Sequence, residues 1–591
     1  MGIHVTYAPM ADLVRDPRWG RVLESSGEDV RLACEMTAGY VRGFQGDDVS
    51  RPGYIASCVK HFAGYGAVEG GRDYNNVDMS ERRMREYYLP AYKAAVDAGC
   101  KMVMTSFNTV DGIPSTANKW LIQKILREEW DFKGVLISDW SAVTELINHT
   151  LAKDRKHAAE LAVNAGIDIE MVSTSFLDHL EESISQGHVD MQTIDKAVMR
   201  ILQLEEDLGL FENPFRGHEQ NPDEVLLCQA HRDAAREVAR KSAVLLKNED
   251  VLPFSDKNTI ALIGPYGDDG DIIGAWHADG RPEESITIYA ALKKRLGENL
   301  KYAKCCEVLG DEVDLQLAGE TAAGSDYVVL AIGESPEHSG ECASKTDISL
   351  SPQQIRLAEY LKEKAHKIIA VVFCGRPLDL TRLSQICDAI LLVWFPGTQG
   401  GEAITELLLG DYSPSGKLST SFPRSVGQIP VHYDHFTTGR PLTGDEYDLY
   451  SSRYLDCPNT PLYPFGYGLS YGKFEYSDIS LSDCVLRKGS EIEASITVKN
   501  VDDFQFLTEE GLAKIIAGEA MPLHTYLPLE PGDIDGDGII DEATDFQLLK
   551  NHILKSEILT DYRVDLADVN KDNEVNIIDL LELKARILAA A

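Results

Sequence analysis

The stretch GVLISDW, Gly134 to Trp140, decides how the first part of this 591-residue chain folds. Val135, Leu136 and Ile137 form an apolar run bounded by Gly134, which reads as a short strand buried in a parallel sheet covered on both faces. The run ends in Asp139 and Trp140. Reacting groups in α/β sheets and barrels sit at the carboxyl ends of strands, so a carboxylate at that tip is a functional candidate. Read alone, the window favours a plainer role, a helix N-cap at Ser138 or Asp139.

Outward from this strand, residues 1–215 alternate short apolar runs with amphipathic stretches. IHVTYAP, ASCVKHFAG, KMVMTSFN and GIDIEMV are the other strand candidates, with SERRMREYYLPAYKAAVDAG as an intervening helix. Repeated β/α units predict a parallel sheet with helices around it. A closed (β/α)8 barrel takes about 250 residues, so a (β/α)8-type barrel lacking its first strands is expected here. From 225 to 430 the rhythm resumes with TIALIGP, YVVLAIG, KIIAVVFCG and AILLVWFPG, four strands of an open αβα sandwich. Residues 431–510 hold Tyr- and Pro-rich loops, then KFEYSDISLS and SEIEASITVKN. Their alternation predicts strands of a truncated fibronectin-III-like β-sandwich. The chain is thus an α/β multidomain protein.

A formal net charge of -38 argues against nucleic acid and anionic membranes as partners and suits neutral ligands. No apolar run approaches the roughly 18 residues of a membrane span, and MGIHVTYAPM lacks a signal-peptide profile. Either the chain is cytoplasmic or its true start lies upstream. The 11 cysteines lack disulfide-scaffold density and zinc-type CxxC pairs, so they are expected to be small buried hydrophobes, Cys305 and Cys306 included.

The segment 530–591 differs again. DIDGDGIIDEATD and DVNKDNEVNIID repeat one acidic loop, each copy followed by a helical stretch, with the alternating oxygen ligands calcium demands. In the second copy Asp568, Asn570, Asp572, Asn576 and Asp579 occupy positions 1, 3, 5, 9 and 12. In the first, Asp533, Asp535, Asp537 and Asp541 fit positions 1, 3, 5 and 9, and the closing acid Asp545 falls one place late.

A carboxylate that works on a glycosidic bond needs a second one beside it. Glu334, Glu337 and Glu341 lie in the polar loop after YVVLAIG, in the second domain. RDPRWGRVLESSGED, KHF, SDW, SGECASK, GRPL, PSGKLSTSFP and PFGYGLSY, in that order, resemble glycoside hydrolase family 3 over residues 1 to about 500, and GAVEGGRDYN is similar to its bacterial β-glucosidases. The resemblance implies a retaining exo-glycosidase removing terminal β-D-glucosyl residues, with β-xylosidase as the alternative and no cofactor for catalysis. Asp139 matches the nucleophile and Glu341 the acid/base. Arg21, Lys60, His61 and Arg72 match positions that grip sugar hydroxyls, and Trp140 would offer the ring an apolar face. Taken singly, each has a plainer reading: Arg21 as ion-pair partner of Glu24 or Asp29, His61 as a core histidine, Arg72 as a surface partner of Asp73, Glu341 as a solvated loop charge.

The sequence departs from the family pattern in GECASK for GEAASR and in Phe107 where relatives often carry Tyr. Relatives also carry further barrel strands and a sugar-gripping Asp ahead of this chain's first residue. KHFAGYGAVEGG lacks the pattern of the acetylglucosaminidase branch. The tail resembles dockerin, which implies structural calcium, a cohesin domain of a scaffoldin as partner, and an extracellular, cellulosome-associated location. A rival expectation is a catalytically inactive calcium-dependent cellulosomal component whose barrel is a remnant.

Overall fold

The computed structural model describes residues 2–500 except 218–220, 366, 443–448 and 486–490. The two acidic loops expected to bind calcium therefore lie outside the described residues. Two α/β sheets dominate. The first has four parallel strands, β1 (Val5–Thr6), β2 (Ala56–Phe62), β3 (Met102–Thr105) and β6 (Val135–Ile137), side by side in that order. A hairpin, β4 (Thr109–Val110) with β5 (Ile113–Pro114), interrupts the path between β3 and β6. Val135, Leu136 and Ile137 are all buried, as a strand covered on both faces requires. GIDIEMV contributes only a bridge, Ile137 to Ile169, rather than a full fifth strand. Among the described residues this sheet does not close on itself.

The second sheet has six strands where four were expected. β7 (Val244–Asn248), β8 (Ile260–Ile263), β9 (Leu300–Ala303), β10 (Tyr327–Gly333), β11 (Ile368–Phe373) and β12 (Ala389–Leu392) lie in the order β7-β12-β11-β10-β8-β9. The two extra strands are the edges. β9 reads LKYA with Lys301 exposed and lacks the continuous apolar run that marks a central parallel strand, whereas β7, antiparallel to β12, carries a short buried run, Val244, Leu245 and Leu246, that sequence reasoning passed over. β10 and β11 do carry it, with Val328–Gly333 and Ile368–Phe373 buried throughout. The expected β-sandwich appears as two short antiparallel pairs, β13 (Phe474–Tyr476) with β16 (Val498–Asn500) and β14 (Ser480–Leu481) with β15 (Ala494–Ser495).

Cys58, Cys100, Cys305, Cys306, Cys374 and Cys387 are buried thiols, whereas Cys342 and Cys484 are exposed. No helix among the described residues is long and apolar enough to cross a membrane.

The two sheets meet through buried polar contacts. Glu28, fully enclosed, accepts the Ser421 N–H at 2.7 Å, the Ser421 hydroxyl at 2.9 Å and the Tyr433 N–H at 3.0 Å. A buried carboxylate needs such donors, and here they come from the far side of the chain. Glu28 and Ser421 belong to stretches singled out in the sequence, SSGED and PSGKLSTSFP, whereas Tyr433 does not.

Candidate active site

β2, β3 and β6 run parallel with Cys58 beside Met102 and Val103 beside Leu136, so their carboxyl ends emerge on one edge. Lys60 and His61 stand just before the last residue of β2, Phe107 follows β3, and Asp139 and Trp140 follow β6. All five line one cavity of about 760 Å³. Asp139 is not a helix cap: the next helix, Ala142–Asn148, starts from Ser141. The Ser138 hydroxyl instead accepts the Met171 N–H at 2.9 Å and donates to the Asp139 carbonyl at 3.0 Å. That leaves the Asp139 carboxylate aimed at the cavity. One oxygen accepts the Trp140 N–H at 2.7 Å; the other, buried, has no hydrogen-bond partner among the described residues and lies 3.6 Å from His61 Nε2.

The second sheet supplies the facing loops. β8 and β10 are neighbours whose onward connections leave in opposite directions, the topological switch point where open α/β sheets bind ligands. The loop after β8 brings Trp276 to the cavity, and the loop after β10 brings Ser339, Glu341 and Cys342. This second loop is tied to the first sheet. Gly340 N–H donates to the Gly20 carbonyl at 2.8 Å and Lys345 N–H to the Arg18 carbonyl at 2.9 Å. A Cβ on Gly20 would stand 2.1 Å from the Gly340 oxygen, so only glycine permits the approach. Arg376, after β11 and wholly buried, donates to Glu334 Oε1 at 2.7 Å, to the Pro17 and Arg18 carbonyls at 3.0 Å each, to Ala343 O at 2.7 Å and to His338 O.

Arg21 links the two sides, 2.7 Å from Glu24 Oε1 and 3.7 Å from Glu341 Oε1. Burial works against its charge, but Glu24 and Glu341 outweigh burial and hold the guanidinium firmly protonated. Burial lifts the Asp139 carboxyl to about 6; the Trp140 N–H, Arg21 and Lys60 pull it down, and Glu341 adds to the rise. Burial, with Arg21 and Lys60, keeps His61 well below its ordinary value and therefore neutral at pH 7. Behind it Asp12, fully buried and raised to about 6 chiefly by burial, meets His61 Nδ1 at 2.8 Å and accepts the Tyr92 hydroxyl. A neutral imidazole donating from Nδ1 leaves Nε2 as an acceptor facing the cavity.

The cavity thus holds two carboxyl groups from the first domain, Asp139 and Glu145, one from the second, Glu341, a fixed guanidinium, a lysine and a neutral imidazole. Trp140 and Trp276, 63% and 61% exposed, present free aromatic surface beside them. Donors and acceptors around apolar rings suit a neutral polyhydroxylated ligand, and paired carboxyls suit acid-assisted displacement on it.

Of the expected site residues, Asp139, Glu341, Arg21, Lys60, His61 and Trp140 line this cavity. Arg72 does not; it is exposed and pairs with Glu69 at 3.4 Å, not with Asp73. Arg21 has both the Glu24 partnership of its plainer reading and a contact with Glu341. The ten acidic and amide ligands from Asp533 to Asp579 lie outside the described residues. Sequence reasoning passed over Trp276, Tyr74, Asp73 and Arg376 as site residues. The last three lie in GGRDYN and GRPL, stretches already conspicuous; Trp276 had no pattern to mark it.

Residues 1–204 match the family model for the glycosyl hydrolase family 3 N terminal domain, residues 243–471 that for its C-terminal domain, and residues 531–588 the dockerin type I domain. Among curated proteins the chain is similar to a periplasmic beta-glucosidase of Salmonella typhimurium, 42% identical over 528 residues, covering 84% of this chain and 69% of the relative. It is also similar to a beta-xylosidase of Formosa agariphila, 34% identical over 529 residues, covering 85% and 71%. Among solved structures it resembles the beta-glucosidase from Listeria innocua in complex with isofagomine, with a TM-score of 0.82 and 44% identity over 85% of this chain and 71% of that one.

Proposed function

The chain belongs to glycosyl hydrolase family 3 and carries a dockerin type I domain, and from that premise we propose a retaining, exo-acting β-glucosidase delivered to its substrate by the dockerin. It is a glycoside hydrolase. The observation that carries the proposal is the shared cavity: Asp139 from the first sheet and Glu341 from the second line one space, with Arg21 reaching toward Glu341. Asp139 attacks the anomeric carbon of a terminal glucosyl unit while Glu341 protonates the leaving oxygen; Glu341, now a carboxylate, then takes a proton from water as it releases the sugar. Arg21, Lys60 and the acceptor nitrogen of His61 hold sugar hydroxyls, and Trp140 lies against the ring.

The domain bounds that accompany this reading are 1–215 for the nucleophile domain, of barrel type, and 225–430 for the acid/base domain. We assign residues 431–510 to a linker and a truncated fibronectin-III-like segment, and 530–591 to the dockerin. Cello-oligosaccharides are the natural class of substrate for an extracellular enzyme docked on a cellulosome, and the beta-xylosidase relative makes β-xylosides the competing class. Calcium held by the two acidic loops would order the dockerin for a cohesin partner.

A fluorinated glucoside that forms the glycosyl-enzyme faster than it is released tests the centre of this proposal. Mass spectrometry is expected to find the sugar on Asp139, with β-glucose as first product of normal turnover. A label on another residue, or α-glucose, overturns it. Comparing aryl β-glucoside with aryl β-xyloside decides between the sugar classes, and no turnover of either supports an inactive component. Chelation should abolish cohesin capture and leave hydrolysis unchanged.

A further inference from the structure

We propose that Asp73 and Tyr74 act as a clamp that positions Glu341, making two residues of the nucleophile domain part of the acid/base machinery. The inference deepens the proposed function and rests on Glu341 as the acid/base. Its ground is a set of contacts crossing from the segment before the helix at Glu81–Arg83 to the loop after β10.

Glu341 stands on a loop with no regular structure, and its side chain is 25% exposed. Among the described residues, no side chain of its own loop hydrogen-bonds its carboxylate. The Tyr74 hydroxyl donates to Glu341 Oε1 and lies 3.2 Å from Cys342 Sγ. Asp73 grips the backbone beside it: Oδ2 accepts the Cys342 N–H at 2.8 Å, and the Asp73 N–H donates to Ser344 Oγ at 2.9 Å. Residues 341, 342 and 344 are thus each held by one of two consecutive residues.

The clamp is itself anchored in the first domain's core. Asp73 Oδ1 accepts the indole N–H of Trp19 at 3.0 Å, the Tyr74 N–H at 3.2 Å and the Tyr65 hydroxyl. Trp19 and Tyr65 are fully buried and meet edge to face at 4.9 Å. The Tyr74 ring packs edge to face on Phe107 at 5.0 Å, and Phe107 in turn touches Tyr65 at 5.8 Å. Tyr74 adopts a left-handed backbone, φ 62°, which a tyrosine holds only when its surroundings impose it. A rigid aromatic base, a carboxylate hinge and a hydroxyl tip together set where the Glu341 carboxyl points.

General acid catalysis depends on that placement, and its loss has a signature that general destabilisation lacks. A dinitrophenyl leaving group departs without protonation, whereas the glucose of cellobiose requires it. Full-length wild type, Glu341→Gln, Tyr74→Phe and Asp73→Asn are to be compared by kcat/KM on dinitrophenyl β-glucoside and on cellobiose, with thermal melting alongside. Both clamp variants are expected to lose roughly tenfold to a hundredfold more on cellobiose than on the activated glucoside. Glu341→Gln should show the same selectivity more strongly. If Glu341→Gln is selective but the two clamp variants fall equally on both substrates, or not at all, the clamp is overturned and the acid/base stands. If Glu341→Gln itself is unselective, the acid/base reading falls and the clamp with it. Should Asp73→Asn melt early, Tyr74→Phe, which removes only one hydroxyl, carries the decision.

Discussion

Asp139 and Glu341 reach the same cavity by opposite routes. Asp139 follows four consecutive buried residues, and its carboxylate accepts the N–H of the very next residue, with its other oxygen 3.6 Å from His61 Nε2 of the same sheet. Glu341 has no strand behind its side chain; Gly20, Arg18, Tyr74 and Asp73, all hundreds of residues away, hold its loop. One acid is placed by local geometry and suffers from burial, with an unpartnered oxygen and a raised pKa. The other escapes burial and depends on two domains docking correctly.

Asp139→Asn gives the largest expected effects, and they have opposite signs. Turnover should fall by roughly 10⁴-fold or more, the scale on which losing a covalent nucleophile operates. Stability at pH 7 should rise. A carboxyl whose folded pKa is lifted from 3.8 to about 6 costs stability above that range, the cost growing as pH rises from about 4 to 6 and vanishing below. Its ceiling is about 3 kcal/mol. Melting temperatures at pH 7 and pH 4 check this: the variant should exceed wild type at pH 7 and match it at pH 4.

Arg376→Met breaks the other side of the comparison. It strips Glu334 of a buried partner and frees carbonyls of both domains, for a loss of about 3–5 kcal/mol in unfolding experiments. Surviving activity should show the same leaving-group selectivity as the clamp variants, since the loop bearing Glu341 loosens while the strand bearing Asp139 does not.

Smaller still is the pH response. Only ionised Asp139 attacks, so kcat/KM should halve near pH 6 and fall about tenfold per unit below. Arg21→Met removes a charge that favours the carboxylate and should move that acid limb upward. Arg72→Ala marks the floor: an exposed side chain that, among the described residues, forms an ion pair only with Glu69 should change stability by less than about 0.5 kcal/mol and leave kcat/KM within twofold.

Much of this molecule was legible in one dimension. An apolar run such as Val135–Ile137 becomes a buried parallel strand whatever surrounds it, because the pattern that buries it is carried in the run itself. The central strands β8, β10, β11 and β12, and the residues that end β2 and β6, were readable for that reason. So was the tail's dockerin character, since its repeated acidic loops are each carried within about a dozen residues. The edge strand β9 was not readable, since one short half-exposed run looks like another until a neighbour pairs with it, and β7 was passed over because Lys247 and Asn248 cut its buried run to Val244, Leu245 and Leu246. Only the tertiary structure decided that Asp139 faces a cavity rather than capping a helix, that Arg72 stays at the surface, and that Trp276, Asp73, Tyr74 and Arg376 meet around Glu341. The contacts around Glu341 join residues of both domains, and those partners become neighbours only when the two domains close on one another.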